Sequence, residues 1–351
     1  MKLISLFKNQ TISHFSVFYR GTVSFFSGIS FNRIKLLFKF VWRNKIKREV
    51  IPEHLTLGVT YKCQCRCVHC SSNIPNLTGE NFKNELSADD VKSSIYQAVE
   101  LGIPRITFFG GEPLMRLEIY EFISYANKLG MITKINTNGL WLNKKTVEKL
   151  KAAGLNHCDV SIDDPNPRIH DKLRGVPGTF QKAISGIKLL KHNKILCQIV
   201  TYAARRNITA GLEKIIDLGK KLKVDSVSIV FPMATGCWAD SYGELLNEQE
   251  KRRVRKLVDY HFVVLEIPTE KCSCQVVKKK SVYIAPDGGV TPCPFIPWQF
   301  GNIKEKTLEF LLREYYRKQN IKFKGDCIMN STQNRNYIKN TISSVRQMRS
   351  A

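Results

Sequence analysis

The run Cys-Gln-Cys-Arg-Cys-Val-His-Cys, residues 63 to 70, sets four thiols within eight positions of a 351-residue chain. Cysteines packed so closely bind a metal, act as a redox dithiol, or hold an iron–sulfur cluster. A structural zinc site draws four ligands from two separated pairs, and a thioredoxin-like centre needs a single C-x-x-C. Cys63, Cys67 and Cys70 instead stand as C-x-x-x-C-x-x-C. In a loop, that spacing lets three thiolates reach three irons of one cubane and leaves the fourth iron open for chemistry. Cys65, between them, is expected to point away from the cluster as a small buried hydrophobe. Cys272, Cys274, Cys293 and Cys327 form a second group, while Cys158, Cys197 and Cys237 are scattered and read as core packing.

Eleven cysteines would also suit a disulfide framework in an exported protein. Asn9, Gln10, Thr11 and Ser13 interrupt any apolar signal core, and no small-residue cleavage site follows, so a reducing cytoplasm is the expected setting. The net charge of +25 is unevenly placed, with ten Lys/Arg against one acidic residue, Glu49, in residues 1 to 50. No uninterrupted run of about 18 apolar residues occurs, which argues against a spanning helix. The stretch FNRIKLLFKFVWRNKIKR has two readings: a basic aromatic helix in peripheral contact with an anionic membrane, or a helix packed on the main domain with its charges solvated. No nucleic-acid-binding motif accompanies the charge.

Such a loop needs a rigid frame. From residue 54 the chain alternates strand-like runs (HLTLGVT, RITFF, ITKIN, HCDVSI, ILCQIVT, SVSIVF) with helical ones. The first helix is bounded by Ser87 as N-cap and by Gly102 beyond its end. Repeated strand–helix units demand a parallel sheet with right-handed crossovers, and ligands then sit beyond the carboxyl ends of the strands. The cysteine octet follows the first strand and falls on that edge. After residue 236 the pattern changes: a charged helix, the Cys-Ser-Cys run, and two strand-like runs flanking a turn at Asp287, Gly288 and Gly289.

The cysteine triad after the first strand is followed in order by Gly-Gly-Glu-Pro-Leu (110–114) closing the second strand and Thr-Asn-Gly (137–139) closing the third. Val-Ser-Ile-Asp (160–163) closes the fourth and runs into PNPRIHDKLRGVPGTF. Over residues 54 to about 235 this set resembles the radical S-adenosylmethionine (radical SAM) superfamily. The resemblance implies a 4Fe-4S cluster on Cys63, Cys67 and Cys70, with S-adenosylmethionine chelated at the open iron. Reductive cleavage would then give a 5′-deoxyadenosyl radical that abstracts hydrogen from a substrate. It further implies that the turn Gly110, Gly111, Glu112 and Pro113 faces the amino group of the cofactor, with Asn138 nearby. Ser161 and Asp163 face its ribose or carboxylate, Arg174 its carboxylate, and His69 holds the place of an aromatic ring near adenine. Gln64, Cys65 and Asp164 depart from the usual pattern of the family.

Cys272, Cys274, Cys293 and the hairpin resemble the opening of the SPASM or shorter twitch extensions of the same superfamily. That implies at most one auxiliary iron–sulfur cluster, on Cys293, Cys327 and one or both of Cys272 and Cys274; a zinc site or unligated thiols is the alternative. The expected architecture is α/β: a partial (β/α)6 TIM-like barrel at 54–236 with a small C-terminal SPASM/twitch-like iron–sulfur domain at 237–335. A basic aromatic extension (1–53) precedes it and a polar basic tail (336–351) follows. The expected activity is radical modification of a peptide or protein, with an electron donor such as flavodoxin or ferredoxin. The alternatives are a membrane lipid or other small-molecule substrate, or a non-catalytic iron–sulfur or zinc-binding module. Molybdenum-cofactor chemistry is disfavoured because the chain ends SSVRQMRSA rather than in a glycine-rich tail.

Overall fold

The structure, a computed structural model, describes residues 30–72, 84–239, 241–259, 261–266, 274–319 and 327–347. The β-branched runs form the expected strands: β1 (His54–Thr60), β2 (Arg105–Gly110), β3 (Ile132–Thr137), β4 (His157–Ser161), β5 (Leu196–Tyr202) and β6 (Ser226–Val230). Each pairs in parallel with its neighbour in chain order. Ahead of them runs helix α1 (Phe31–Val41); between them lie α2 (Ala88–Leu101), α3 (Ile119–Lys128), α4 (Lys144–Ala152), α5 (Pro167–Arg174), α6 (Thr179–His192) and α7 (Gly211–Lys221). Ser87 and Asp90 form a capping box on α2, and Gly102 ends it at φ 90°.

Three features go beyond the sequence reading. The segment PNPRIHDKLRGVPGTF is not all loop: Pro167 begins α5, Asn166 caps it and Gly175 closes it in the left-handed region. The capped helix α8 (Glu248–Arg255) leads to a seventh parallel strand, β7 (Val263–Leu265), beside β6. The hairpin β8 (Ser281–Ile284) and β9 (Gly289–Thr291) is not a separate lobe, because β8 pairs in parallel with β1. One open sheet results, in the order β10-β9-β8-β1-β2-β3-β4-β5-β6-β7, with β10 at Gly301–Asn302. Tyr283 and Pro286 pack onto Gly58, where a Cβ would lie 2.7 Å from each. Helices α9 (Leu308–Lys318) and α10 (Thr332–Gln347) follow, so the expected basic tail is helical as far as Gln347.

The two faces of the sheet differ. Ile135, Cys158, Val160, Cys197, Ile199, Val227 and Ile229 are fully buried on one face. Cys158 and Cys197, in register on adjacent strands, are the core thiols the sequence suggests. The other face is polar. Asn136, Asp159, Gln198 and Ser226 stand level across β3 to β6. Lys134 pairs with Asp159 at 2.7 Å, and Ser228 donates to Glu266 at 3.0 Å. Among the described residues Thr107 Oγ1 and Asn136 Oδ1 are buried on this face without a hydrogen-bond partner.

Candidate active site at the carboxyl edge of the strands

The loop after β1 carries all four clustered cysteines, and the ends of β2, β3 and β4 hold it in place. Gly111 and Glu112 donate their backbone N–H groups to the carbonyls of Thr60 and Lys62, both at 2.8 Å. A Cβ on Gly110 would overlap the Thr60 carbonyl oxygen, and one on Gly111 the Lys62 carbonyl oxygen. The paired glycines therefore let the end of β2 lie against the cysteine loop itself. Glu85 ties the same loop from the other side, accepting from Thr60 Oγ1 at 2.9 Å and from the Tyr61 N–H at 2.6 Å.

Glu112 is fully buried and braces three segments. Its carboxylate accepts from Leu114 N–H (3.1 Å), Thr137 Oγ1 (2.8 Å) and Asn138 N–H (2.8 Å). Burial pushes this carboxyl up to about 7, against those hydrogen bonds. Asn138 in turn accepts from Gln64 Nε2 at 3.3 Å and donates Nδ2 towards Cys63 Sγ at 3.9 Å. Gln64, a departure from the usual pattern, thus has a local partner. Thr137, quoted only as part of the Thr-Asn-Gly run, and Gln64, noted only as a departure from the family pattern, are site residues to which the sequence reading gave no role.

Cys63, Cys67 and Cys70 are all half-buried on this loop. Cys65 is buried, as expected, but its thiol is turned towards the ligand candidates rather than away from them. Hydrogen bonding with Cys63 and Cys67 is the main cause of the upward displacement of the Cys65 thiol, and the same bonds push Cys63 down. Cys67 is lowered to about 6, first by that bond and then by the charges of Arg174 and His69. Arg174 reaches Cys67 Sγ with its terminal nitrogen at 3.7 Å.

Arg174 and Asp163 face each other, not open space. Arg174 Nε lies 2.7 Å from Asp163 Oδ2, and His69 Nε2 lies 3.3 Å from the same oxygen. Burial alone would raise the Asp163 carboxyl, and the Arg174 and His69 charges overcome it, holding it well below the ordinary carboxylate range. The Asp163 N–H donates to His170 Nδ1 at 3.1 Å, which makes α5 part of the network. His69 is buried against Tyr202 and Trp238, with ring centroids 4.9 and 5.8 Å away. Ser161 ends β4 half-buried at the same edge.

Cys237 is not core packing. It is half-buried, and its N–H donates to the Cys70 carbonyl at 2.9 Å. Gly236 beside it sits at φ 57°, and a Cβ there would overlap that carbonyl. The segment after β6 therefore clamps the last cysteine, a contact between residues far apart in sequence. Farther round the sheet, Cys274 and Cys327 are buried and Cys293 half-buried. Burial pushes the Cys293 thiol well up, with Cys327, Cys274 and Glu266 adding to it. Cys272 lies outside the described residues. Among the described residues no three Cys, His, Asp or Glu side chains converge on a single metal ion. Cubane ligands each serve their own iron and need no such convergence.

A model of the radical SAM superfamily matches residues 57–223, and a model of the SPASM iron–sulfur cluster-binding domain matches residues 272–338. An AdoMet-dependent heme synthase of Methanosarcina barkeri is 27% identical over 313 residues, 79% of this chain and 87% of that protein. An Fe-coproporphyrin III synthase of the same organism is 29% identical over 245 residues, 69% of this chain and 59% of that protein. Among solved structures, Streptococcus suis SuiB bound to precursor peptide SuiA matches with TM-score 0.62 at 18% identity, covering 86% of this chain and 70% of that one. The enzyme anSMEcpe with bound AdoMet matches with TM-score 0.56 at 18% identity, covering 74% and 80%. With its cysteine loop held by the ends of three parallel strands, this chain carries a radical SAM domain and a SPASM domain, and the cofactors these domains imply are a 4Fe-4S cluster, S-adenosylmethionine and auxiliary iron–sulfur.

Proposed function

We propose that Cys63, Cys67 and Cys70 ligate the 4Fe-4S cluster and that the enzyme abstracts hydrogen from a substrate seated against the polar inner face of the sheet. The observation that carries this reading is the set of three half-buried thiols spread round one loop, with the Arg174 guanidinium against Cys67. These residues fit the group: a thiol lowered to about 6 is a thiolate at neutral pH, the form that binds iron. Bound there, the cluster would supply the one electron that cleaves S-adenosylmethionine to methionine and a 5′-deoxyadenosyl radical. The chain supplies the rest. Glu112 fixes the Gly110–Pro113 turn so that its backbone carbonyls are offered to the amino group of the cofactor. Asn138 and Ser161 line its ribose side. Arg174, held by Asp163, presents charge to the thiolate and to the carboxylate of the cofactor, and His69 sets the aromatic wall of Tyr202 and Trp238. Cys274, Cys293 and Cys327, with Cys272, hold one auxiliary cluster.

For the substrate we favour a tetrapyrrole. Its support is the similarity to haem-forming relatives, which spans both the barrel and the C-terminal region. A peptide is the second reading, supported by the fold shared with SuiB, whose structure holds a precursor peptide. The net charge of +25 suits an acidic one-electron carrier of the flavodoxin or ferredoxin kind. A peripheral membrane contact by the basic N-terminal region belongs to the same reading. Anaerobically reconstituted protein, reduced with S-adenosylmethionine present, is expected to form 5′-deoxyadenosine faster when Fe-coproporphyrin III is added. No acceleration by the porphyrin, with acceleration by a peptide, would reverse the order of the two readings.

A further inference from the structure

Helix α1 lies across the amino ends of the strands. Asn32 donates to the Lys128 carbonyl at 2.8 Å, and Arg33 to Asn127 Oδ1 at 2.9 Å, Met131 O at 3.5 Å and Asn156 Oδ1 at 3.4 Å. Lys39 pairs with Glu100 at 3.3 Å, and Arg43 reaches the carbonyls of Glu100 and Leu101 at 3.3 and 3.2 Å. All these partners sit where a helix returns to the start of β2, β3 or β4. The cysteine loop lies at the opposite ends, about 20 Å away along strands rising ~3.3 Å per residue. Leu36, buried, fastens the inner side of the helix.

The outer side is apolar and exposed, with no other described residue covering it. Phe31 is 78% exposed, Ile34 53%, Phe38 67%, Val41 50% and Trp42 46%. At 3.6 residues per turn these five share a stripe about 100° wide. Ile46 and Val50, also exposed, extend it. Seven of the fourteen large hydrophobic residues exposed among the described residues fall between 31 and 50. Lys35, Lys45, Lys47 and Arg48 stand exposed beside them. No Asp or Glu occurs before Glu49, and residues 1 to 29 add Lys2, Lys8, Arg20 and a series of phenylalanines. A second copy would bring the same cations to the same face and repel it. An anionic bilayer meets both features, taking the apolar stripe among its acyl chains and the cations among its headgroups.

We propose that this face of α1 docks on an anionic membrane surface and holds the enzyme with its active-site mouth pointing away from the lipid. The inference extends the membrane contact proposed above and does not depend on the catalytic reading. It makes the membrane a tether and turns against a lipid substrate, which would have to reach the far end of the barrel. The test uses the full chain and vesicles of phosphatidylcholine with or without phosphatidylglycerol. Wild-type protein is expected to sediment with the anionic vesicles and less so as salt rises, and a Phe38→Glu/Trp42→Glu variant to bind at least about tenfold more weakly. Both side chains are exposed, so the melting temperature of the variant should stay unchanged; Phe38→Ala/Trp42→Ala, which adds no charge, should also bind more weakly. The rate of 5′-deoxyadenosine formation should be the same with and without vesicles. Failure of the wild type to sediment, or equal binding by the variants, would overturn the proposal. So would self-association that the double variant abolishes without any vesicle binding, or suppression of 5′-deoxyadenosine formation by bound vesicles, which would put the mouth against the lipid.

Discussion

Burial turns Arg174 and Asp163 toward each other, and this pairing gives the site its electrostatic character. Removing one partner of a buried ion pair strands the other charge, at a cost of about 3–5 kcal/mol. Arg174→Leu should therefore lose about that much stability in urea titrations of the cofactor-free protein, whereas a surface change such as Lys220→Leu should lose almost none. Glu112 makes a pH prediction. Its folded-state value of about 7 lies above the ordinary 4.5, so the protonated form favours the fold. Stability from this group is full below about pH 4.5 and is lost as the pH rises through about 7, by about 3 kcal/mol. Glu112→Gln should flatten that slope, read by denaturation at several pH values. Cys65 separates ligand from neighbour: Cys65→Ala should keep the iron and sulfide content of the cluster, while Cys63→Ala, Cys67→Ala or Cys70→Ala should lose it.

At the scale of elements, the strand ends hold the cysteine loop by close backbone approach, and glycine makes the approach feasible. Gly111→Ala and Gly236→Ala each place a methyl group on a backbone oxygen of the loop, Lys62 in one case and Cys70 in the other. Each should lower cluster content and melting temperature, whereas Gly243→Ala, with open space around it, should change neither. The six strands, the capped helix α2 and the order of the motifs were legible in the sequence, because alternation of apolar residues, Ser87, Asp90 and Gly102 act locally. What stayed illegible depends on distant partners. Asp163 and Arg174 each looked free to meet a ligand, since the ten residues between them hide their pairing. The clamp of Cys237 on Cys70 spans more than a hundred residues, and Cys237 by itself carries no signal beyond that of a small apolar side chain. The pairing of β8 with β1 was hidden for the same reason: a hairpin motif specifies its own turn but not the edge it will join.

For the whole molecule, the consequence of that pairing is one continuous sheet running from the C-terminal hairpin through the barrel. Disturbing the seam should thus be felt across the protein. Gly58→Val, which crowds Tyr283 and Pro286, should lower the melting temperature of the whole unit and, with it, the iron content of both cysteine groups. The inner face left by this sheet is polar, with the cysteine loop at the carboxyl ends of its strands, while α1 packs where the chain enters β2, β3 and β4 at the other end. Electron paramagnetic resonance of the anaerobic, reduced protein tests the central claim most directly. A 4Fe-4S signal with a component that changes form when S-adenosylmethionine is added, that component alone disappearing in the Cys63→Ala/Cys67→Ala/Cys70→Ala variant while the auxiliary-cluster signal stays, is the predicted result. The absence of any component that responds to the added sulfonium, or a responding component that survives loss of those three thiols, would contradict it.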